Sequence, residues 1–130
     1  MPPSISNAEW LVMKALWAGA PMTAEEVIAA LGQDVEWQPR TVKTLLGRLV
    51  KKGALSFERN GRQHVYSSAV TERECKSQQT RRFLARVFDG ALPPLVAHMV
   101  EEGALGKKDL DELRSLVDKA ERRRKSRLRR

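Results

Sequence analysis

The 130-residue sequence has one cysteine, Cys75, and only 5% aromatic residues. A single cysteine cannot build an internal disulfide framework, and no segment is long and apolar enough to span a bilayer. Residues 1–4 lack the basic and apolar segments of a secretion signal. We therefore expect a cytoplasmic protein without membrane insertion. No Ser/His/Asp grouping or phosphate-binding loop is present, so we predict no enzymatic activity and no cofactor.

Candidate metal ligands are also sparse. Cys75, His64 and His98 are isolated from one another and lack the spacing of a metal site, so we predict no bound metal. Cys75 has two interpretations: a redox switch at a dimer interface, or a small, partly buried hydrophobic residue. The second is favoured.

Charge is plentiful and unevenly distributed. The net charge is +8, but residues 1–37 carry one base and five acids, and residues 65–120 carry nine of each. Residues 38–64 carry seven bases and one acid, and so do the last ten residues. Because a charge run is often only a solvated surface, the pattern within each basic segment must decide its role.

Helix starts are marked by three capping boxes, in which Ser or Thr is followed three residues later by Glu. The boxes are Ser6–Glu9, Thr23–Glu26 and Thr71–Glu74. With the apolar periodicity behind them, they predict helices over residues 7–18, 24–31 and 72–89. Periodicity also predicts a helix starting at Pro39 and ending at Gly53, a short helix over residues 93–102, and a last helix from Lys107.

A β-hairpin follows the third helix. Residues 55–59 and 63–67 alternate with the period of a strand, and Asn60-Gly61 between them is a strong turn signal. The order helix, helix, helix, hairpin is that of a winged helix-turn-helix. We therefore predict a mainly α fold with a small β-hairpin. Its parts are a winged-helix DNA-binding domain (5–70), a helical dimerisation segment (71–120) and a basic, disordered tail (121–130).

The third helix has an apolar side for docking and a polar, basic side that suits the major groove of DNA. On the basic side, Arg40, Thr41, Lys43 and Thr44 occupy the first two turns, where recognition helices contact bases. Lys51 and Lys52 are better placed for phosphates, and His64 accompanies the arginines of the hairpin tip. The predicted DNA-binding residues are Arg40, Thr41, Lys43, Thr44, Arg48, Lys51, Arg59 and Arg62.

Two segments, SNAEWLVMKALW (6–17) and WQPRTVKTLLGRLVKKG (37–53), resemble the opening and recognition helices of the penicillinase and methicillin-resistance repressors, the BlaI/MecI family. Gly61-Arg62 and Tyr66 match the wing of that family, and the likeness continues through Leu95-Val96 and Leu113-Arg114, over about residues 5–120 in all. The resemblance implies a homodimer that binds double-stranded DNA at a palindromic TACA…TGTA operator and represses a nearby gene. The sequence departs from the family at Gln38, where Ser is usual, so we expect a weaker helix cap. It also lacks the paired Cys-x-Cys motifs of the copper-responsive branch.

The C-terminal helices carry apolar stripes that are too small to form a domain alone, so we predict that a second copy covers them. The predicted dimerisation residues are Phe83, Leu84, Val87, Phe88, Leu95, Val96, Met99, Leu110, Leu113, Leu116 and Val117.

The resemblance also implies a way to relieve repression. In the β-lactam branch of the family, a signalled protease cuts the short helix of the dimerisation segment. Residues 95–100 resemble that region, with His98-Met99 in place of the usual Asn-Phe pair. The resemblance thus implies a further partner, a membrane-bound sensor protease or a protease that it activates. The alternative is that this helix is dimer core and is never cut.

Two other functions are open. A winged-helix protein-interaction module would bind an acidic partner and would bind DNA or RNA without sequence preference. An RNA-binding adaptor would work through the last ten residues. Those residues are either a solvated end or an additional nonspecific contact with DNA or RNA.

Overall fold

The computed structural model describes residues 2–129. Met1, the first residue of the predicted N-terminal segment, and Arg130, the last residue of the predicted basic tail, lie outside the described residues. The elements are α1 (Asn7–Gly19), β1 (Met22–Thr23), α2 (Ala24–Leu31), α3 (Pro39–Lys52), β2 (Leu55–Asn60), β3 (Gln63–Ser68), α4 (Glu72–Phe88), α5 (Leu92–Glu101) and α6 (Lys107–Leu128). The predicted fold class, mainly helical with a small antiparallel sheet, is confirmed.

The helix ends follow the predicted capping chemistry. In the first box, the Ser6 hydroxyl accepts from the backbone N–H of Glu9 at 3.2 Å, and the Glu9 carboxylate accepts from the backbone N–H of Ser6 at 2.8 Å. The other two boxes form the same reciprocal bonds. Gln38 makes no side-chain cap, and Pro39 begins α3 without needing a bonded N–H.

The three strands form one antiparallel sheet in the order β1-β3-β2. Because Asn60 pairs with Gln63, the two loop residues are Gly61 and Arg62, one position later than the predicted Asn60-Gly61 turn. Gly61 has a φ of 67°, a conformation that glycine adopts without steric penalty. Strand β1 was not predicted, because two residues are too short to show an alternating pattern.

The hydrophobic core lies between α1, α2, α3 and the inner end of the sheet. Trp17 closes one edge of it, and its indole N–H donates to the Ser68 hydroxyl and to the Val70 carbonyl oxygen, both at 3.0 Å. The largest fully buried apolar side chains are Val12, Met13, Leu16, Val27, Val42, Leu46 and Leu49.

The chain forms two compact units, of which the first ends at Arg81 and the second begins at Arg82. The predicted boundary between residues 70 and 71 is therefore too early. The physical reason is that the first half of α4 packs on the winged-helix core. Cys75 and Gln78 are buried there, and the Gln78 side chain donates to the Pro2 carbonyl oxygen at 2.7 Å. Gln79 likewise donates to the carbonyl oxygen of Ile5.

The basic tail is helical up to Leu128, because α6 continues through it. The expectation of a disordered tail is therefore wrong for residues 121–128. Arg, Lys and Leu favour helix, and cations near a helix C-terminus interact well with the helix dipole.

Between Arg82 and Arg129, no residue is buried. Within residues 2–129 we find no single helix that is both long and apolar enough to cross a membrane; α4 and α5 pass that test of length and composition only as a bent pair.

Candidate nucleic-acid interface

Helix α3 divides cleanly into a buried and an exposed face. Val42, Leu45, Leu46 and Leu49 are buried in the core. Gly47 lies on the opposite side, where an added Cβ would meet nothing within 4 Å. The predicted α3 contact residues are all exposed: Arg40, Thr41, Lys43, Thr44, Arg48 and Lys51.

The exposed face of α3 is uniformly cationic. The helix contains no acidic residue. Among residues 2–129 we find two salt bridges, Glu9–Lys52 and Glu72–Lys76, and of the α3 cations only Lys52 takes part in them. Arg40, Lys43 and Arg48 therefore have no acidic partner to give up when they bind an anionic ligand.

Lys52 is the exception, because its side chain is already bonded within the fold; its contact with phosphate stays a prediction. Its ammonium group donates to the Glu9 carboxylate at 2.5 Å and to the Ser4 carbonyl oxygen at 3.0 Å. The side chain thus ties the end of α3 to the start of α1.

Glu9 is a buried acid, for which the sequence predicted only a capping role. Burial alone would raise the pKa of its carboxyl group. The hydrogen bonds from Lys52 and Ser6, together with the Lys52 charge, outweigh burial and hold the pKa below its ordinary value. The spacing of Glu9 from Val12, Met13 and Leu16 could have shown that it shares their buried face.

The wing is the hairpin β2–β3. Arg59 is exposed on β2, and Arg62 is exposed in the loop. His64, which pairs with Arg59 across the strands, stacks on Phe57 with ring centroids 4.3 Å apart. The imidazole is half-buried by this contact, whereas Arg62 projects from the tip of the wing.

Cys75 is almost completely buried in the core. Burial, together with the nearby Glu74 charge, raises the pKa of its thiol, so the reactive thiolate is disfavoured. The structure therefore favours the interpretation of Cys75 as a small hydrophobic residue. No group of three or more His, Cys, Asp or Glu side chains able to hold a metal ion lies within residues 2–129.

The predicted dimerisation residues are only partly covered. Phe83, Leu116 and Val117 are 40%, 61% and 55% exposed. Leu92 and Val100 of α5 are also exposed, although they are not among the predicted dimerisation residues. Val87 is exposed as well, and the half-buried members are Leu84, Phe88, Leu95, Val96, Met99, Leu110 and Leu113. Their role in dimerisation stays a prediction.

The proposed cleavage pair lies near the end of α5. His98 is exposed, and its ring lies 6.2 Å from that of Phe88, while Met99 is half-buried. Helix α5 has no buried residue and no side-chain N-cap, since Ala91 precedes it.

Comparison with known proteins gives one consistent result. The family model described as "Penicillinase repressor" matches residues 5–119. The chain is 34% identical to the penicillinase repressor of Bacillus licheniformis over 95% of this chain and 96% of that protein. It is 32% identical to the methicillin resistance regulatory protein MecI of Staphylococcus aureus over 88% of this chain and 94% of that protein.

Two solved structures are similar to just over half of the chain. The solution structure of the DNA-binding domain of the repressor BlaI is 42% identical with a TM-score of 0.52, covering 55% of this chain and 88% of that one. Monomeric Bacillus licheniformis BlaI in complex with the blaP half-operator is 40% identical with a TM-score of 0.50, covering 57% of this chain and 90% of that one.

Proposed function

The chain belongs to the penicillinase repressor family, and we propose that it represses transcription by binding operator DNA sequence-specifically as a homodimer in the cytoplasm. The observation that carries the proposal is the exposed face of α3, which is cationic and free of acidic residues. A relative 40% identical to this chain has been solved on a half-operator, which supports duplex DNA as the ligand.

The proposed contacts divide by position on α3. Arg40, Thr41, Lys43 and Thr44 occupy its first two turns and would read base edges in the major groove. Arg48 and Lys51 lie farther along the same exposed face and would hold phosphates. On the wing, Arg59 and Arg62 would contact the backbone or an adjacent minor groove.

Dimerisation is proposed from the second unit. Its helices leave Phe83, Val87, Leu116 and Val117 at least 40% exposed. A second copy would cover the same residues on both chains around a two-fold axis, and that symmetry matches a palindromic operator.

The base-reading role is tested by substitutions on α3. Arg40→Ala and Lys43→Ala should each weaken operator binding by about 1–3 kcal/mol and relax sequence preference at one position. Lys51→Ala, the control on the same helix, should weaken binding to operator and scrambled duplexes alike. Unchanged affinity and preference in both reader variants would contradict the assignment. Equal binding of the unaltered protein to both duplexes would instead support an interaction module.

We further propose that cleavage between His98 and Met99 relieves repression. Helix α5 is short, begins with two prolines and buries no side chain, so it should open locally at modest free-energy cost. A cut there would separate α6 from the rest of the dimerisation segment and leave the DNA-binding unit intact. The protease would be the membrane-bound sensor or one that the sensor activates.

The cleavage proposal is tested by the mass of the protein in cells after exposure to a cell-wall antibiotic. Fragments ending at His98, and their loss in a His98→Pro variant, are expected. Derepression with only intact chains would contradict it. Continued cleavage of the His98→Pro variant after residue 98 would also contradict it.

A further inference from the structure

We propose that the C-terminal end of α6 together with its C-cap Arg129, residues 121–129, is a second, sequence-independent binding surface for the phosphate backbone of duplex DNA. The proposal rests on the DNA-binding function proposed above but uses residues outside the family match, which ends at residue 119. We call these residues the tail helix. Its cations are Arg122, Arg123, Arg124, Lys125, Arg127 and Arg129.

The tail helix differs from the rest of α6 in charge. From residue 107 to 120, four bases are balanced by four acids, whereas the tail helix has six bases and only Glu121. Every residue of the tail helix is exposed. Within residues 2–129, neither salt bridge involves α6. The six cations are therefore not used to hold the chain's own fold.

Because this segment is helical, its cations stand in a dense, ordered array. With a rise of about 1.5 Å per residue, the eight residues from Arg122 to Arg129 occupy about 12 Å and carry six positive charges, roughly one charge per 2 Å. Double-stranded DNA carries about one negative charge per 1.7 Å of its axis. The two charge densities are opposite in sign and similar in size. Five of the six cations are arginines, which bind phosphate oxygens in pairs.

The cations also surround the helix axis. Arg122, Lys125 and Arg129 recur at helical spacing and line one shallow groove with Ser126. Arg123 and Arg127 lie one turn apart on another side, and Arg124 lies on a third. A flat acidic protein surface would meet one of these sides. The major groove of DNA admits a helix and offers phosphates on both walls, so it can neutralise several sides together.

The cations of the tail helix repel one another when no anion is bound. Four cation pairs between Arg122 and Arg129 are three or four residues apart, where like charges oppose each other. When α3 holds the operator, the same chain carries the tail helix, so a further contact between them would be intramolecular. A polyanion that relieves the repulsion is thus already present.

The experiment measures the salt dependence of binding by the full-length protein. The tail variant carries Arg122→Gln, Arg123→Gln, Arg124→Gln and Lys125→Gln. The matched control removes the same four charges from the first part of α6: Lys107→Gln, Lys108→Gln, Arg114→Gln and Lys119→Gln. The probes are a duplex with inverted TACA and TGTA half-sites, a scrambled duplex of equal length, and an RNA hairpin.

We expect the tail variant to lower the slope of log Kd against log salt by up to about 3.6 per protomer, about 0.9 for each lost phosphate contact. The effect should be similar on both duplexes and small in the control. A third variant, Arg122→Lys, Arg123→Lys and Arg124→Lys, keeps the charge and should retain most of the slope. Circular dichroism and sedimentation check that the helix and the oligomeric state are unchanged.

Three results would overturn the proposal: equal slopes in the tail and control variants, loss of slope in the lysine variant equal to that in the glutamine variant, or a change confined to the RNA hairpin. Failure of the proposed repressor function gives a different result. In that case the unaltered protein would bind both duplexes equally, while the tail variant would still lower the slope on each.

Discussion

The two units of the chain differ in how far their apolar residues are buried. The first unit buries Val12, Leu16, Leu46 and Leu49 completely, and even the first half of α4 contributes buried Cys75. The second unit contains leucines, valines and phenylalanines at helical spacing, yet none of its residues from 82 to 129 is buried. A single chain thus encodes one complete core and, by our proposal, half of another. By that proposal, the first unit holds its DNA-binding surface with its own core, whereas the second is completed by another copy of the chain.

The largest expected effect comes from placing charge on the exposed apolar stripe of α6. The double variant Leu116→Asp, Val117→Asp should abolish the dimer, because each copy would place unpaired carboxylates in the buried interface. Operator affinity should fall roughly 10²–10⁴-fold because the two half-sites are no longer bound together. Half-site affinity should not change.

Sedimentation and titration with full and half operators measure these effects. Ser115→Asp adds charge to the same turn at an exposed polar position and serves as the control. A stable dimer of the double variant, or an equal defect in the control, would mean that this stripe is not the interface.

In the first unit, truncating a buried side chain should instead lower the stability of the fold. Leu46 is fully buried, so Leu46→Ala should lower the free energy of unfolding by about 2–5 kcal/mol. Leu128→Ala, at a side chain that is 76% exposed, should change it by less than about 0.5 kcal/mol. Urea denaturation at fixed protein concentration compares the two. Similar losses of unfolding free energy in both variants would contradict the proposed difference in burial between the units.

The Glu9–Lys52 pair is an electrostatic part of the first core. Because the pKa of Glu9 is lowered in the folded state, the pair contributes stability above the ordinary carboxyl pKa and loses it as pH falls through the folded value. Lys52→Met should therefore destabilise the protein at neutral pH, by about 1–2 kcal/mol since Lys52 is partly exposed, and by less in acid.

Lys51→Met removes the same charge from the neighbouring exposed position, where there is no ion pair with any residue from 2 to 129, and is the matched control. Unfolding is followed from neutral pH to about pH 3. A loss independent of pH would show that Lys52 acts through packing alone.

How much of the structure the sequence could predict depends on how far apart in the chain the interacting residues are. The caps, the helices and the basic face of α3 are local patterns, and the structure has them. The Glu9–Lys52 pair joins residues 43 positions apart, and the Gln78 bond to Pro2 joins residues 76 apart. No local periodicity reports such contacts, so Lys52 was assigned to phosphate and the domain boundary was placed before α4.

The tail illustrates the opposite error. The run of like charges predicted a disordered tail, but the helix propensity of Arg and Lys and the start of α6 directly after Gly106 favour continuation of the helix. The Gly106 N–H donates to the Asp109 carboxylate, and the helix then runs for 22 residues. Composition alone gives the charge, and only the backbone shows that the charges form an ordered array.

The smallest expected effect concerns the tip of the wing, and it tests whether the DNA surface of the first unit extends beyond α3. Arg62 follows Gly61 in the loop and is exposed, so it can make one phosphate contact without disturbing the core. Arg62→Ala should reduce the slope of log Kd against log salt by about 0.9 per protomer and leave operator preference unchanged. Lys14→Ala, which removes one exposed charge from α1, should leave the slope unaltered. If Arg62→Ala instead changes sequence preference, the wing reads bases. If it changes neither the slope nor the preference, the interface ends at α3, and the first unit contacts DNA through that helix alone.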